Sequence, residues 1–275
     1  MSAPDDANDL RGVHARRLMS RPSVWIPVLL APALVGPVVG DIASPAIGLL
    51  AALAALSIGL GVVLWFADSR AGDDFFELYA QQRSLALDGE SEMRAATPLL
   101  LRGSKRYAVR TLEGELGDGV EGTLALYTYE ETTSTDKGVQ TSYFRYTLGL
   151  VEVPECAALV PELFCQRKSG LRALIGLEDA LRKSRKRVRL ESEGLDRRYE
   201  IFAGKDQDAA WLRRLFSPSF IVWLTDSAPK KFAFELWGGM LCCYVKGHKQ
   251  SAKDLDAIRA ASATVARRLR DEALE

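Results

Sequence analysis

The sequence predicts an α+β chain: an N-terminal two-helix transmembrane hairpin, then a soluble domain with an antiparallel sheet of about seven strands and flanking helices. Three observations predict it. Between Pro22 and Ala67 the only charged residue is Asp41, so two apolar runs stand back to back. Beyond them, alternating segments rich in Thr, Tyr, Val and Leu recur between turn residues. Helical patterns come before, between and after those segments. The chain divides accordingly into a polar, basic N-terminal segment (1–21), the hairpin (22–67) and an α+β domain (68–275).

A spanning helix needs roughly 20 mostly apolar residues at about 1.5 Å each to cross about 30 Å of hydrocarbon. The runs from Pro22 to Gly40 and from Ile42 to Ala67 both meet that requirement, which leaves the residues around Asp41 as a tight turn. Arg11, Arg16, Arg17 and Arg21 precede the first run and the turn holds no basic residue, so the N-terminus is expected inside and the turn outside. Two crossings then place both termini in the cytoplasm, at the inner (plasma) membrane. The rival reading is a cleaved secretory signal ending near Ala43 and Ser44. The length of Val24–Val39, the prolines 27, 32 and 37 within it, and the second complete run all weigh against that.

The second run carries small residues at Gly48, Ala52, Ala55 and Gly59, spacings that put all four on one helix face; Ala33, Gly36 and Gly40 do the same in the first. Small residues let backbones approach where lipid supplies no hydrophobic drive. The seam is expected to pack the two helices together, with homodimerisation through the same faces as the alternative. Asp41 stands at an end, so no ion path or proton relay is visible.

Thirty-six basic residues balance 36 acidic ones, so bulk charge does not point to nucleic acid, and none is expected as a partner. Four cysteines and two histidines show no metal-ligand spacing, so no metal or other cofactor is expected. The thiols should be reduced and partly buried, with adjacent Cys242 and Cys243 pointing to opposite faces of a strand.

Along the soluble part, residues 1–10 read as a disordered tail and Asp73–Leu87 as an amphipathic helix begun by Asp73 and Asp74. Gly89–Thr97 is loop. Tyr107–Leu112 is a short strand, and Gly122–Glu131 with Thr141–Val153 form a long hairpin around the polar run Thr132–Gly138. Gly117-Asp118-Gly119 is a turn. Leu171–Leu181 is expected to be helical. Arg187–Glu191 and Arg198–Ala203 make a second strand pair. Asp206 is expected to cap a helix with Trp211/Leu215 and Leu212/Phe216 pairs, and Ser217-Pro218 to start the next. Phe232–Trp237 and Met240–Lys246 are strands joined by Gly238-Gly239. The last helix opens with Ser251 and Asp254 and buries Leu255, Ile258, Val265 and Leu269.

The order Leu190-Glu-Ser192, Arg198-Tyr-Glu-Ile201, Asp208-Ala-Ala-Trp211, Leu215-Phe-Ser-Pro218, Phe234-Glu-Leu236 and Gly239-Met-Leu-Cys242 resembles an uncharacterised actinobacterial membrane-protein family. Its members pair a two-helix anchor with a cytoplasmic domain of unknown function. The resemblance covers nearly the whole chain and implies membrane location and a bacterial source. It supplies no activity and no site residues.

Three constellations stand out from the residues themselves. Arg182, Lys183, Arg185, Lys186, Arg187 and Arg189 put six cations in eight positions. Arg182, Lys183, Arg185 and Lys186 are candidates for contact with anionic inner-leaflet lipid, against the plainer reading of a solvated face. Tyr127 with Tyr129, and Phe144 with Tyr146, share strand faces, as core or as a ligand-binding surface. His248 stands in a Gly-His-Lys turn without a nucleophile at a telling spacing, and no GxSxG, P-loop or GxGxxG occurs. No catalytic residue is therefore expected. The leading expectation is a membrane-anchored, non-catalytic cytoplasmic module that binds a protein partner or the inner leaflet. A small-ligand sensor built on the strand aromatics is the alternative, and a hydrolase using His248 and nearby serines the least supported.

Overall fold

The computed structural model describes residues 22–42, 44–135, 138–168 and 185–275, without the side chains of 22–25, 27, 64–71 and 135. The expected N-terminal tail, the basic residues before the first apolar run, the helix at Leu171–Leu181, and Arg182 and Lys183 lie outside the described residues. The chain forms two compact units, one of Met1–Tyr79 with Gln250–Ala252, the other of Ala80–Lys249 with Lys253–Glu275.

In the first unit, α1 (Pro22–Ile42) runs through all three prolines and includes Asp41 in its last turn. The turn is therefore shorter than expected. Ser44 begins α2 (Pro45–Gln82), with its hydroxyl accepting from the Ile47 amide at 3.4 Å and Pro45 at the first helical position. Among the described residues one helix is long and apolar enough to cross a membrane: Pro45–Val63, 19 residues of mean hydropathy 2.4, with a shorter apolar stretch at Val28–Ile42. The separate helix expected at Asp73–Leu87 does not exist. Asp73 and Asp74 are interior residues of α2, whose 38 residues contain no proline after Pro45.

In the second unit, α2 ends in a Schellman turn: Leu85 donates its amide to the Ala80 carbonyl at 2.9 Å, and Ser84, at φ 53°, takes the left-handed position usually held by glycine. The expected helix end at Leu87 is instead strand β1 (Ala86–Asp88). There follow β2 (Lys105–Gly117), β3 (Val120–Thr135), β4 (Gly138–Glu152), β5 (Glu162–Arg167), β6 (Lys186–Val188), α3 (Glu193–Arg198), β7 (Tyr199–Ala203), α4 (Ala209–Leu215), α5 (Pro218–Val222), β8 (Ala233–Trp237), β9 (Met240–Lys246) and α6 (Ala252–Leu274). The strands form one antiparallel sheet in the order β1-β2-β3-β4-β9-β8-β5-β7-β6.

All seven expected strands are present, and β1 and β5 bring the described total to nine. β5 reads Glu-Leu-Phe-Cys-Gln-Arg and is buried at its four central positions, Gln166 included, so polar and apolar residues do not alternate between an outer and an inner face. The β3/β4 hairpin carries its pairing through the polar run as far as Thr135↔Gly138. Asp118-Gly119 and Gly238-Gly239 all have positive φ and close two-residue turns between Gly117↔Val120 and Trp237↔Met240. Two expectations shift: the strand at Arg187–Glu191 is only Lys186–Val188, and Asp208 rather than Asp206 caps α4, accepting from the Ala210 amide at 2.8 Å.

α6 covers one face of the sheet and buries the expected Leu255, Ile258, Val265 and Leu269. A side chain at Gly149 of β4 would meet the Ser262 hydroxyl at 2.0 Å, so only glycine admits the helix at this distance. The core of the other face lies under the segment around Leu99 and Leu100. α4 is tied to the end of α6 by buried Glu272, which pairs with Arg214 (2.5 Å) and Arg268 (3.0 Å).

Candidate functional site

The described residues of the basic run, Arg185 to Arg189, do not share one surface. Arg185 lies inside the domain: its Nε donates to Glu162 at 2.7 Å, and its guanidinium sits 4.6 Å from the Phe164 ring centre and 5.4 Å from that of Trp237. Cation–π stacking on two rings and an ion pair hold it against the sheet, with little of the side chain left exposed. Arg187, opposite Phe202 in the β6/β7 register, approaches Glu200 at 3.6 Å. Lys186 is exposed and, among the described residues, forms no ion pair.

Lys186 and Arg187 instead meet residues distant in sequence. β6, the loop after β7 and α4 enclose a cleft of about 310 Å³. Among the described residues its cations are Lys186, Arg187, Arg189 and Arg213, its polar neutral side chain is Gln207, and the rest of the lining is small or apolar, with no carboxylate. The Gln207 amide nitrogen is engaged with the Leu159 carbonyl at 3.0 Å. Sequence reasoning picked out the first three cations as a run but had no means of joining Arg213 to them.

In the first unit, the two rows of small residues meet. A Cβ at Gly48 would lie 2.5 Å from the Gly36 carbonyl oxygen and 2.7 Å from the Gly40 Cα; one at Gly36 would touch the Ala52 Cβ at 3.0 Å. Gly59 stands opposite Val28, 3.5 Å from where its own Cβ would be, and Ala55 is half-buried.

The strand aromatics are packed. Tyr127, Tyr129 and Tyr146 are buried together with Leu99, Leu100, Leu148 and Tyr244, and Phe144 flanks them. Phe144 and Tyr146 stack on Tyr129 with centroids 4.8 and 6.0 Å away. A ligand surface on this face is therefore already filled by the protein's own segment around Leu99.

That filling covers a group the sequence reading passed over. Glu235 of β8 is buried, its Oε1 accepting from the Leu99 amide at 2.7 Å. The Thr97 hydroxyl lies against the carboxyl without the geometry of a full hydrogen bond. Burial raises the Glu235 pKa to about 7, against the pull of Thr97, Leu99 and Arg102 toward the ionised form. The available signal was a single acid within Phe-Ala-Phe-Glu-Leu-Trp, at a position alternating with Ala233. Cys242 joins this face, whereas Cys243 bonds toward Ser262 under α6, as the alternation of a strand requires. All four cysteines are buried free thiols, and burial raises the Cys156 thiol pKa to about 11.

His248 Nε2 lies 3.1 Å from both the Tyr127 carbonyl and the Thr128 hydroxyl. The carbonyl can only accept, so Nε2 carries the proton. Burial, foremost, lowers the imidazole pKa. Ser217 and Ser219 share a hydrogen bond of 3.1 Å with each other at the start of α5. The pairing of His248 with serines that a hydrolase needs is not among these contacts. No three His, Cys, Asp or Glu side chains converge as a metal site among the described residues.

No family model and no curated protein matches the chain. Among solved structures, the mycobacterial trehalose monomycolate transport factor A, TtfA, is similar with a TM-score of 0.43 and 10% identity, over 73% of this chain and 93% of that one. A likeness of that degree assigns no function here. The resemblance to an uncharacterised actinobacterial family rests on the quoted residues alone.

Proposed function

We propose that this chain is a membrane-anchored, non-catalytic cytoplasmic module that binds a protein partner or the inner leaflet, with α1 and α2 as two spans of the plasma membrane and both termini cytoplasmic. The observation carrying this reading is the surface of the helix pair. Leu29, Leu34, Val38, Leu50, Leu53 and Ile58 are each at least half exposed, and only 6% of the apolar window in α2 is buried. Contiguous apolar surface of this extent is unfavourable in water and is solvated by hydrocarbon. The small residues face inward between the helices, which leaves the large ones for lipid. Arg11, Arg16, Arg17 and Arg21 supply the orientation.

An alkaline phosphatase reporter, active only when exported, tests this. Fused after Ile42 it should be active, and fused after Glu275 inactive. The reverse pattern would overturn the cytoplasmic assignment, and activity at both positions would restore the signal-peptide reading.

A further inference from the structure

We infer that the cleft between β6 and α4 binds a phosphate-bearing group of about the size of a lipid headgroup or a small phosphorylated metabolite. The inference goes beyond the anchoring proposed above and does not depend on it.

Its basis is the gathering of four cations around one cleft, set beside arginines elsewhere in the domain that have carboxylate partners. Arg83 is bidentate to Asp256, Arg197 pairs with Glu193, Arg198 with Asp226, Arg214 and Arg268 with Glu272, and Arg267 with Asp118. In the cleft, Lys186, Arg189 and Arg213 form no ion pair among the described residues, and Arg187 has only the 3.6 Å approach to Glu200. Four cations around one concavity repel one another, and among the described residues no carboxylate lines it; Glu162, beside Gly204, is engaged with Arg185. An anion in the cleft would.

Shape adds to charge. Val188, Leu190, Ala203 and Leu212 form an apolar wall behind the cations. A cleft of one sign with low-dielectric walls focuses the field and raises the local concentration of counter-ions. Three of the four cations are arginines, whose planar fork of donors matches phosphate oxygens in pairs. About 310 Å³ is at the small end of ligand pockets, large enough for a phosphorylated headgroup or sugar but not for a folded partner.

The full chain in detergent is titrated with pyrophosphate and, separately, with sulfate, following heat of binding and thermal midpoint. Saturable pyrophosphate binding with a raised midpoint is expected, and sulfate should bind at least tenfold more weakly. Arg213→Gln and Arg189→Gln should each weaken pyrophosphate about tenfold, the loss of one charged hydrogen bond. Both side chains are exposed, so neither change should impair folding. Arg197→Gln, a cation paired elsewhere, serves as control and should change nothing. The source of the phosphate is read from nanodiscs. If the natural ligand is a headgroup, anionic phosphatidylglycerol in the disc should compete with pyrophosphate, whereas phosphatidylcholine should not. If it is soluble, pyrophosphate affinity should be equal in both discs. No saturable binding, or binding that survives Arg189→Gln and Arg213→Gln together, overturns the inference.

Discussion

Over one face of the sheet, α6 lies so near β4 that the Ser262 hydroxyl occupies the space of a side chain at Gly149. Over the other, an irregular segment seals a buried carboxyl and four tyrosines, with the Leu99 amide bonded to Glu235. The first closure is regular, apolar and fixed by shape. The second is polar and fixed by hydrogen bonds, so its strength depends on protonation. A helix lid tolerates no added volume, while a loop lid tolerates no unmatched donor or acceptor.

Gly149→Val gives the largest expected effect. Valine favours strands, so an open face would accept it or gain from it. Under α6 it should instead cost about 3 kcal/mol, at the upper end of overpacking, seen as a lowered urea midpoint of the full chain in detergent. An unchanged midpoint would mean that α6 yields easily, and the contrast between the faces would fail.

Glu235→Gln keeps an oxygen for the Leu99 amide and removes the titration. The folded pKa of Glu235 is raised from 4.5 to about 7, so between those values the folded state holds a proton that the unfolded state has released. Stability from this site is therefore greatest at low pH and is lost as pH rises through about 7. The advantage of the Gln variant over wild type should grow on the order of 2–3 kcal/mol from about pH 5 to about pH 8. Melting curves at both values check this, and a constant gap would show that the loop face does not titrate through Glu235.

The smallest effect belongs to Tyr129→Phe. It removes a hydroxyl facing Arg102 Nη1 at 3.4 Å while keeping the ring that stacks on Phe144. A cost of about 1 kcal/mol in the urea midpoint is expected. A cost near zero would mean that packing alone holds the loop lid, making the faces more alike than their chemistry suggests.

The two faces also differed in how legible they were. The α6 face could be read because a stripe at Leu255, Ile258, Val265 and Leu269 and the alternation of β4 and β9 are periodic signals. The segment over the tyrosines has no period, so its role had to come from tertiary contact. The strand aromatics were correctly paired by face, yet nothing local indicated that Leu99 and Leu100 would cover them. Ser84 hid the end of α2 because the expected punctuation there is glycine. The basic run illustrates the same limit at the candidate site. Its density was visible, but that Arg185 turns inward to Glu162 while Arg213 comes to complete a cleft follows from sheet order, which no spacing encodes.

Among the described residues the sheet places its long strands inside and ends on β1 and β6, three residues each. Strand addition by a second molecule gains one or two hydrogen bonds per residue pair, and three residues offer too few to outweigh the entropy of ordering them. Charge adds to the deterrent: Asp88 lies on the first border with Glu90 and Glu92 beyond it, and Lys186 and Arg187 lie on the second. Two copies meeting at like borders repel, whereas an acidic border facing a basic one is held back only by the shortness of both strands. Sixteen residues of β3 rich in threonine, tyrosine and leucine would at an edge be a template for fibre growth, and their place between β2 and β4, inside short border strands, keeps that template from a neighbour.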